Sequence, residues 1–254
     1  VCLPMAVSGC GVDHWERIVP RHYPAPGNGF RFLHVSSCFP RKGVDALLEA
    51  WGRAFSRHDS VCLVIKTFSN PHNDLEAQLA AQRQANPDYP RVEVLWQDLP
   101  DAQLKSLYQQ CDALVAPSRA EGFGLPLAEA MLSGLPVITT WLTDFRFEPA
   151  QTHFELSGSV WASPNPKRLA RQMQAVHQAP PQQRRDLAAA GANYLRQHFT
   201  WEQVALRLTN QVHRILQQHE TLQRDRPLRI GRVSSWNQRC GLATYSGHLM
   251  QQNG

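Results

Sequence analysis

Two carboxylates, Glu121 and Glu129, stand eight positions apart in the stretch Arg119-Ala-Glu-Gly-Phe-Gly-Leu-Pro-Leu-Ala-Glu-Ala-Met-Leu-Ser-Gly-Leu-Pro-Val-Ile138. Glu121 falls on a glycine-rich loop and Glu129 just inside a helix. Pro126 suits a first helical position, where the N–H it lacks would be unpaired anyway. Gly134 is placed to end that helix in the left-handed conformation, and Pro136-Val-Ile138 then reads as a short buried strand. The order is therefore loop, short helix, strand, with free amides at the helix start between two glutamates. Such amides attract a phosphate or another anion, and a nearby carboxylate accepts hydrogen bonds from sugar hydroxyls. Together they suit a sugar carried on a diphosphate. Taken singly, a Glu in a first helical turn is ordinarily a dipole partner contributing roughly 0.3–1 kcal/mol.

The elements around this stretch alternate strand and helix patterns, which predicts an α/β fold: a Rossmann-like parallel sheet with helices on both faces. Strands are expected at 30–36, 61–65, 92–95 and 113–116, the second wholly apolar as a strand covered on both faces should be. Val44, Leu47, Leu48, Trp51, Ala54 and Phe55 recur at helical spacing, predicting a helix over 43–57. Further helices are expected at 73–85 and 101–111, the latter turning Leu104, Leu107 and Tyr108 inward. After the glutamate helix, 159–162 reads as a short edge strand. Asn165-Pro166 caps a helix to about Gln178, and another runs from Pro181 to about His198. Thr200-x-x-Gln203 is a capping box for a last helix striped by Val204, Leu208, Val212 and Ile215.

Composition narrows the classes. The chain has 254 residues, 43% of them hydrophobic, with mean hydropathy −0.39, a formal net charge of +5 and a pI near 9.0. It can bury a full core, and it holds no run of about 18 uncharged apolar residues that would span a bilayer. The first residues lack a signal peptide's basic start and apolar core, which leads us to expect a cytoplasmic protein. The six cysteines (Cys2, Cys10, Cys38, Cys62, Cys111, Cys240) show no metal-ligand spacing, so neither a zinc site nor a disulfide framework is expected. The eleven histidines are spread singly. Lys167, Arg168, Arg171, Arg184 and Arg185 make the C-terminal helices basic, first as a solvated face and second as a weak attraction to an anionic membrane surface. Nucleic-acid binding has no motif in its favour. No G-x-G-x-x-G follows the strand at 30–36, which argues against a dinucleotide-dependent oxidoreductase, and the glutamate string is not that of a nucleotide-sugar epimerase.

The string Pro117-Ser-x-x-Glu121-Gly-Phe-Gly-Leu-Pro-x-x-Glu129-Ala-x-x-x-Gly134-x-Pro-Val137 resembles the E-x7-E signature of retaining, group 1 (family 4) glycosyltransferases, and the likeness runs from about Val7 to about Gln217. The resemblance implies a B-type glycosyltransferase fold, two Rossmann-like domains across a cleft, with this chain as the C-terminal, donor-binding domain. Gly9-Cys-Gly-Val-Asp13 is similar to the family's lead-in linker, Pro40-Arg-Lys-Gly43 to its "KG" loop and Phe199-Thr-Trp201 to its "f-x-W". By this likeness Glu129 would bind the ribose of the nucleotide. Glu121 would contact the transferred sugar, with Gly122, Phe123, Gly124 and Leu125 offering amides. Lys42 would bind the diphosphate and stabilise it as it leaves, so Glu121 and Lys42 are the catalytic candidates. The family's arginine six positions before that lysine is replaced by Ser36, which is counted with the donor-binding candidates, and Arg41 or Lys66 are the candidate substitutes for its charge. Trp96 stands where the base is held, free to stack on it or simply buried. No metal or other cofactor is implied; the nucleotide-diphosphate sugar, GDP- or UDP-linked, is the substrate.

The implied function is hexosyl transfer from that donor to a glycan or lipid-linked acceptor, in bacterial surface polysaccharide synthesis. The alternative is a degenerate nucleotide-sugar-binding module with a regulatory or structural role, favoured by Ser36. The expected organisation is a lead-in from a preceding domain at 1–29, the donor domain at 30–217 and a polar linker at 218–227. Residues 228–254 resemble the first strand and helix of a following glycosyltransferase unit. The start and finish read as cut from a longer polypeptide, so the chain is expected to bind donor and transfer little sugar alone.

Overall fold

A computed structural model of the chain describes residues 12–24, 27–143, 145–150 and 158–218. The expected glycosyltransferase unit at 228–254, and the lead-in around Gly9, lie outside the described residues. The larger compact unit spans Ile18–Ala192.

Its sheet is parallel throughout, built from β1 (Phe30–Val35), β2 (Val61–Lys66), β3 (Val92–Leu95), β4 (Ala113–Ala116) and β5 (Val137–Thr139) in the order β3-β2-β1-β4-β5. Before and between these strands run α1 (Val12–Arg17), α2 (Val44–Ala54), α3 (Leu75–Ala85), α4 (Asp101–Gln109) and α5 (Leu125–Leu132). After the sheet, the described residues form α6 (Pro166–Gln178), α7 (Pro181–His198) and α8 (Trp201–Gln218). Apolar strands form here because each pleat side meets a helix layer. Phe32, Leu63, Ile65, Val115 and Ile138 join Leu47, Leu48 and Trp51 of α2, Leu75 and Leu79 of α3, and Leu169 and Met173 of α6 in one core. The intervening residues Leu33, Cys62, Val64 and Leu114 are equally buried, as a sheet covered on both faces requires.

The helix ends follow the expected chemistry with one adjustment. Leu125 is the first residue of α5 and Pro126 the second, after a left-handed Gly124 at φ 81°. Pro126 still costs no hydrogen bond there, since all of the first-turn amides lack intrahelical partners. At the far end the amides of Gly134 and Leu135 reach back to Met131 and Ala130, with Gly134 at φ 87°, a Schellman closure. Asn165 caps α6 by accepting from the amides of Lys167 and Arg168.

Two elements depart from the sequence expectation. The stretch read as lead-in linker contains the short helix α1. The expected edge strand at 159–162 is not at the edge of the main sheet: β7 (Val160–Ser163) pairs antiparallel with β6 (Arg146–Pro149) in a separate ribbon. In the smaller unit, which comprises the described residues 12–17 and 193–218, the Trp201 amide donates to Asp13. Arg196 pairs with Glu16 at 2.6 Å, and the Thr200 hydroxyl accepts from the Gln203 amide.

Candidate functional site

The sheet changes direction of winding between β1 and β4, and in such sheets ligands bind beyond the carboxyl ends of the strands at that switch point. The loops leaving β1 and β4 carry Lys42 and Glu121. After β1, residues 36–39 lead into a single 3-10 turn, Pro40–Lys42, which closes on Gly43 at φ 68°. A Cβ on Gly43 would meet the Pro117 carbonyl at 2.1 Å, so the lysine turn and the loop after β4 are pressed backbone to backbone. This is the physical demand behind glycine after the lysine. Gly43→Ala is accordingly expected to lower unfolding stability by roughly 2–4 kcal/mol, from strained φ plus overpacking, read as the midpoint of urea denaturation. An unchanged midpoint would show that the contact can relax.

Arg119 reinforces the junction. Its amide donates to the Arg41 carbonyl and its guanidinium to the Pro40 carbonyl. The same guanidinium grips both oxygens of Asp45 at 2.6 and 2.7 Å, lies 5.2 Å from the centre of the Trp161 ring, and approaches Glu148 of β6 at 3.5 Å. The carboxylates of Asp45 and Glu148 hold its pKa above the ordinary arginine value against the opposing effect of burial. One side chain thus ties together the lysine turn, the glutamate loop and the ribbon. Spacing in the sequence gives no signal for this role, because Asp45 lies 74 residues away.

Across the junction the Lys42 ammonium donates to Glu121 Oε1 at 2.5 Å, and the Ser118 hydroxyl donates to the same oxygen at 2.7 Å. The Arg41 guanidinium lies 3.8 Å from the other oxygen and donates to the Ala120 carbonyl. Burial lowers the Lys42 pKa and Glu121 draws it back up. Lys42, Arg41 and Glu121 therefore form one cluster carrying a net positive charge. Gly122, Phe123 and Gly124 follow directly into Leu125 at the start of α5. Gly122 is exposed and a Cβ there would meet nothing within 4 Å.

Ser36 is committed differently. His34 is fully buried, and its Nδ1 donates to the Val115 carbonyl at 2.8 Å. A carbonyl only accepts, so Nε2 is the unprotonated nitrogen and receives the Ser36 hydroxyl at 2.7 Å. Burial pulls the His34 pKa down to about 4, which keeps the ring neutral. The Ser36 oxygen in turn accepts from the Cys38 amide, and Cys38 sits at φ 54°.

Glu129 is buried in the second turn of α5, and Tyr108 of α4 donates its hydroxyl to Oε2 at 3.0 Å. Burial pushes the Glu129 pKa up to about 8, partly offset by the tyrosine hydrogen bond. The sequence marks Tyr108 only as an inward residue; its partnership with a site glutamate comes from the packing of α4 beside α5. Lys66 and Trp96 stand at the same edge, at the ends of β2 and β3. Lys66 is buried, donates to the Thr67 carbonyl and has its pKa lowered by burial. Trp96 packs against the core and lines an open depression with Asn73, Asp74 and Glu76. Among the described residues no three His, Cys, Asp or Glu side chains converge as a metal set. Cys38, Cys62 and Cys111 are free buried thiols whose pKa values burial raises.

A parallel sheet in this order, with its helix starts and an ammonium at the switch point, is a Rossmann-like α/β fold. The chain belongs to the family described as glycosyl transferases group 1, whose sequence profile matches residues 17–194. It is 29% identical over 168 residues to the D-inositol 3-phosphate glycosyltransferase of Segniliparus rotundus, a match taking in 65% of this chain and 36% of that protein. Its fold is like that of sucrose-phosphate synthase from Thermosynechococcus elongatus (TM-score 0.57, 21% identity, 80% of this chain and 51% of that one). It is also like the C-terminal domain of a group 1 glycosyl transferase from Francisella tularensis (TM-score 0.55, 18% identity, 74% of this chain and 98% of that domain). The chain thus spans about a third of the inositol phosphate enzyme's length and about half of the sucrose-phosphate synthase's.

Proposed function

We propose that the chain is the donor-binding part of a retaining hexosyltransferase that takes its sugar from a nucleotide diphosphate. The observation carrying this reading is the joining of Lys42 and Glu121 at the switch point, beside the open start of α5. An ammonium and a helix N-terminus complement a diphosphate, and a carboxylate beside them complements sugar hydroxyls. In transfer the bond from the anomeric carbon to the diphosphate oxygen breaks, a bond from that carbon to the acceptor oxygen forms, and the acceptor's hydroxyl proton passes to the departing diphosphate. Negative charge grows on the leaving diphosphate, where Lys42 and the amides of residues 122–125 stabilise it; electrostatic assistance of this kind is often the largest catalytic contribution. Glu121 orients the transferred sugar and Glu129 holds the ribose. Arg41 and Lys66 supply further positive charge, and Trp96 offers a ring to the base. The donor is GDP- or UDP-linked, and the acceptor is a glycan or lipid-linked sugar of a bacterial surface polysaccharide. The acceptor is held by polypeptide outside this chain, which alone transfers little sugar.

A second reading, a module that binds nucleotide sugar without turning it over, is favoured by Ser36, which stands in place of an arginine and gives its hydroxyl to His34. Thermal denaturation in the presence of UDP, GDP, ADP and their sugars tests both. A ligand at a hundred times its dissociation constant stabilises by about 2.7 kcal/mol, or roughly 5–10 °C in a domain this size. One nucleotide family should stabilise the parent and not Glu129→Ala. A parent insensitive to all of them would defeat the donor-site reading, and binding without transfer after the rest of the enzyme is supplied would favour the second.

A further inference from the structure

The phenol of Tyr108 is wholly buried, yet its hydroxyl serves the Glu129 carboxyl on the neighbouring helix, which forms no ion pair among the described residues. Tyr108 and Asp101 both face Glu129 from α4, and the Asp101 charge opposes its ionisation. Lys105 on the same helix sends its ammonium to the Ile18 carbonyl. The strands under α5, β4 and β5, contain only Ala, Leu, Val, Ile and Thr, and α7 meets α5 where Gly191 faces Met131. Among the described residues the carboxyl is therefore fixed at one oxygen by a neutral donor, which leaves the other oxygen for a ligand.

We infer that Tyr108 is a positioning residue of the donor site: it holds Oε2 of Glu129 so that Oε1 meets the ribose, and donor binding there expels a proton. The inference rests on the reading of Glu129 as the ribose contact. A ribose presents two hydroxyl donors, and a carboxylate accepts both better than a carboxylic acid does. Burial keeps the free carboxyl protonated at neutral pH, so the ligand selects its ionised form. Linkage then requires donor affinity to rise with pH, by up to about tenfold per unit, until the free carboxyl ionises by itself. Removing the Tyr108 hydroxyl takes away the one group that eases ionisation, and the affinity profile must move to higher pH.

The test is calorimetric titration of the whole chain with UDP-glucose and with GDP-mannose, whose diester phosphates do not titrate between pH 6 and 9. Runs in phosphate and in Tris separate binding heat from proton release. The expected result is about one proton released at pH 7, with affinity climbing to about pH 8. In Tyr108→Phe, whose shape is conserved, the climb should be displaced upward and affinity recovered at high pH. A merely structural tyrosine would lower affinity equally at every pH. A flat profile with no proton release, or an undisplaced one in Tyr108→Phe, overturns the inference. If Glu129→Ala binds as the parent does, or neither sugar nucleotide binds the parent, the donor-site reading fails with it. If Glu129→Ala loses binding while the profile is flat, only this inference fails.

Discussion

Replacing Lys42 with methionine is expected to weaken binding of a nucleoside diphosphate some ten- to a hundredfold and to leave binding of the bare nucleoside unchanged. A hydrogen bond to a charged partner is worth about 1.5–3 kcal/mol, and every 1.4 kcal/mol is a factor of ten. Methionine keeps most of the buried stem and removes only the charge. Glu121 does not become an orphan, because it retains the Ser118 hydroxyl and the guanidinium of Arg41 and is partly open to water. The fold should therefore survive, and circular dichroism should match the parent. Parallel titrations of nucleoside and nucleoside diphosphate decide the matter. Equal losses for both would mean that the lysine shapes the site generally; no loss for either would remove it from the phosphate subsite.

The second large effect concerns Glu129 and stability. Its pKa in the fold, about 8, lies above the ordinary 4.5, so the protonated form is the one the fold accommodates. Its stabilisation is complete below pH 4.5 and is lost as pH rises towards 8. His34 runs oppositely: its pKa is depressed from 6.5 to about 4, so stability is lost as pH falls through that range. The two slopes nearly cancel between about pH 4.5 and 6.5, and only the glutamate's remains from there to 8. Glu129→Gln keeps an oxygen to accept from Tyr108 and cannot ionise. The variant should equal the parent near pH 4.5, gain stability up to pH 6.5 and hold it, ending on the order of 3–5 kcal/mol above the parent at pH 8. Denaturant melts across that range measure it. Parallel curves for the two proteins would mean that water reaches the carboxyl and that its burial is not felt. The gain in stability should accompany a loss of nucleotide affinity, as expected where a binding group is strained in the free site.

These two residues also show what could be read from sequence. Strands β2, β4 and β5 were legible because buried parallel strands write themselves as short apolar runs; β1 and β3, which carry Arg31, His34 and Glu93, were legible from the alternation of strand and helix patterns, and α6 announced its start with Asn165-Pro166. The glutamate helix was legible from both ends, Pro126 near its start and Gly134 after it. Ribbon strand β6 was not, because Arg146-Phe-Glu-Pro149 has no periodicity of its own and is held by pairing with β7 and by Arg119. The protonation of Glu129 was equally hidden. A glutamate near a helix start reads as a solvated dipole partner, and its burial, with the Tyr108 hydroxyl on it from 21 residues earlier, comes from tertiary packing. His34 was silent for the same reason, since its partners are a carbonyl of β4 and the Ser36 hydroxyl.

The short contact between Lys42 and Glu121 gives the free site an internal competitor. A sugar diphosphate does not arrive at a bare cation; on the proposed reading it displaces a tethered carboxylate that is ready to return. Affinity for the donor is then discounted by the strength of that pair, and the spent nucleotide leaves against a waiting replacement. A glutamate that holds the sugar in one state would in the next help to clear the pocket, which favours turnover over tight retention of the product.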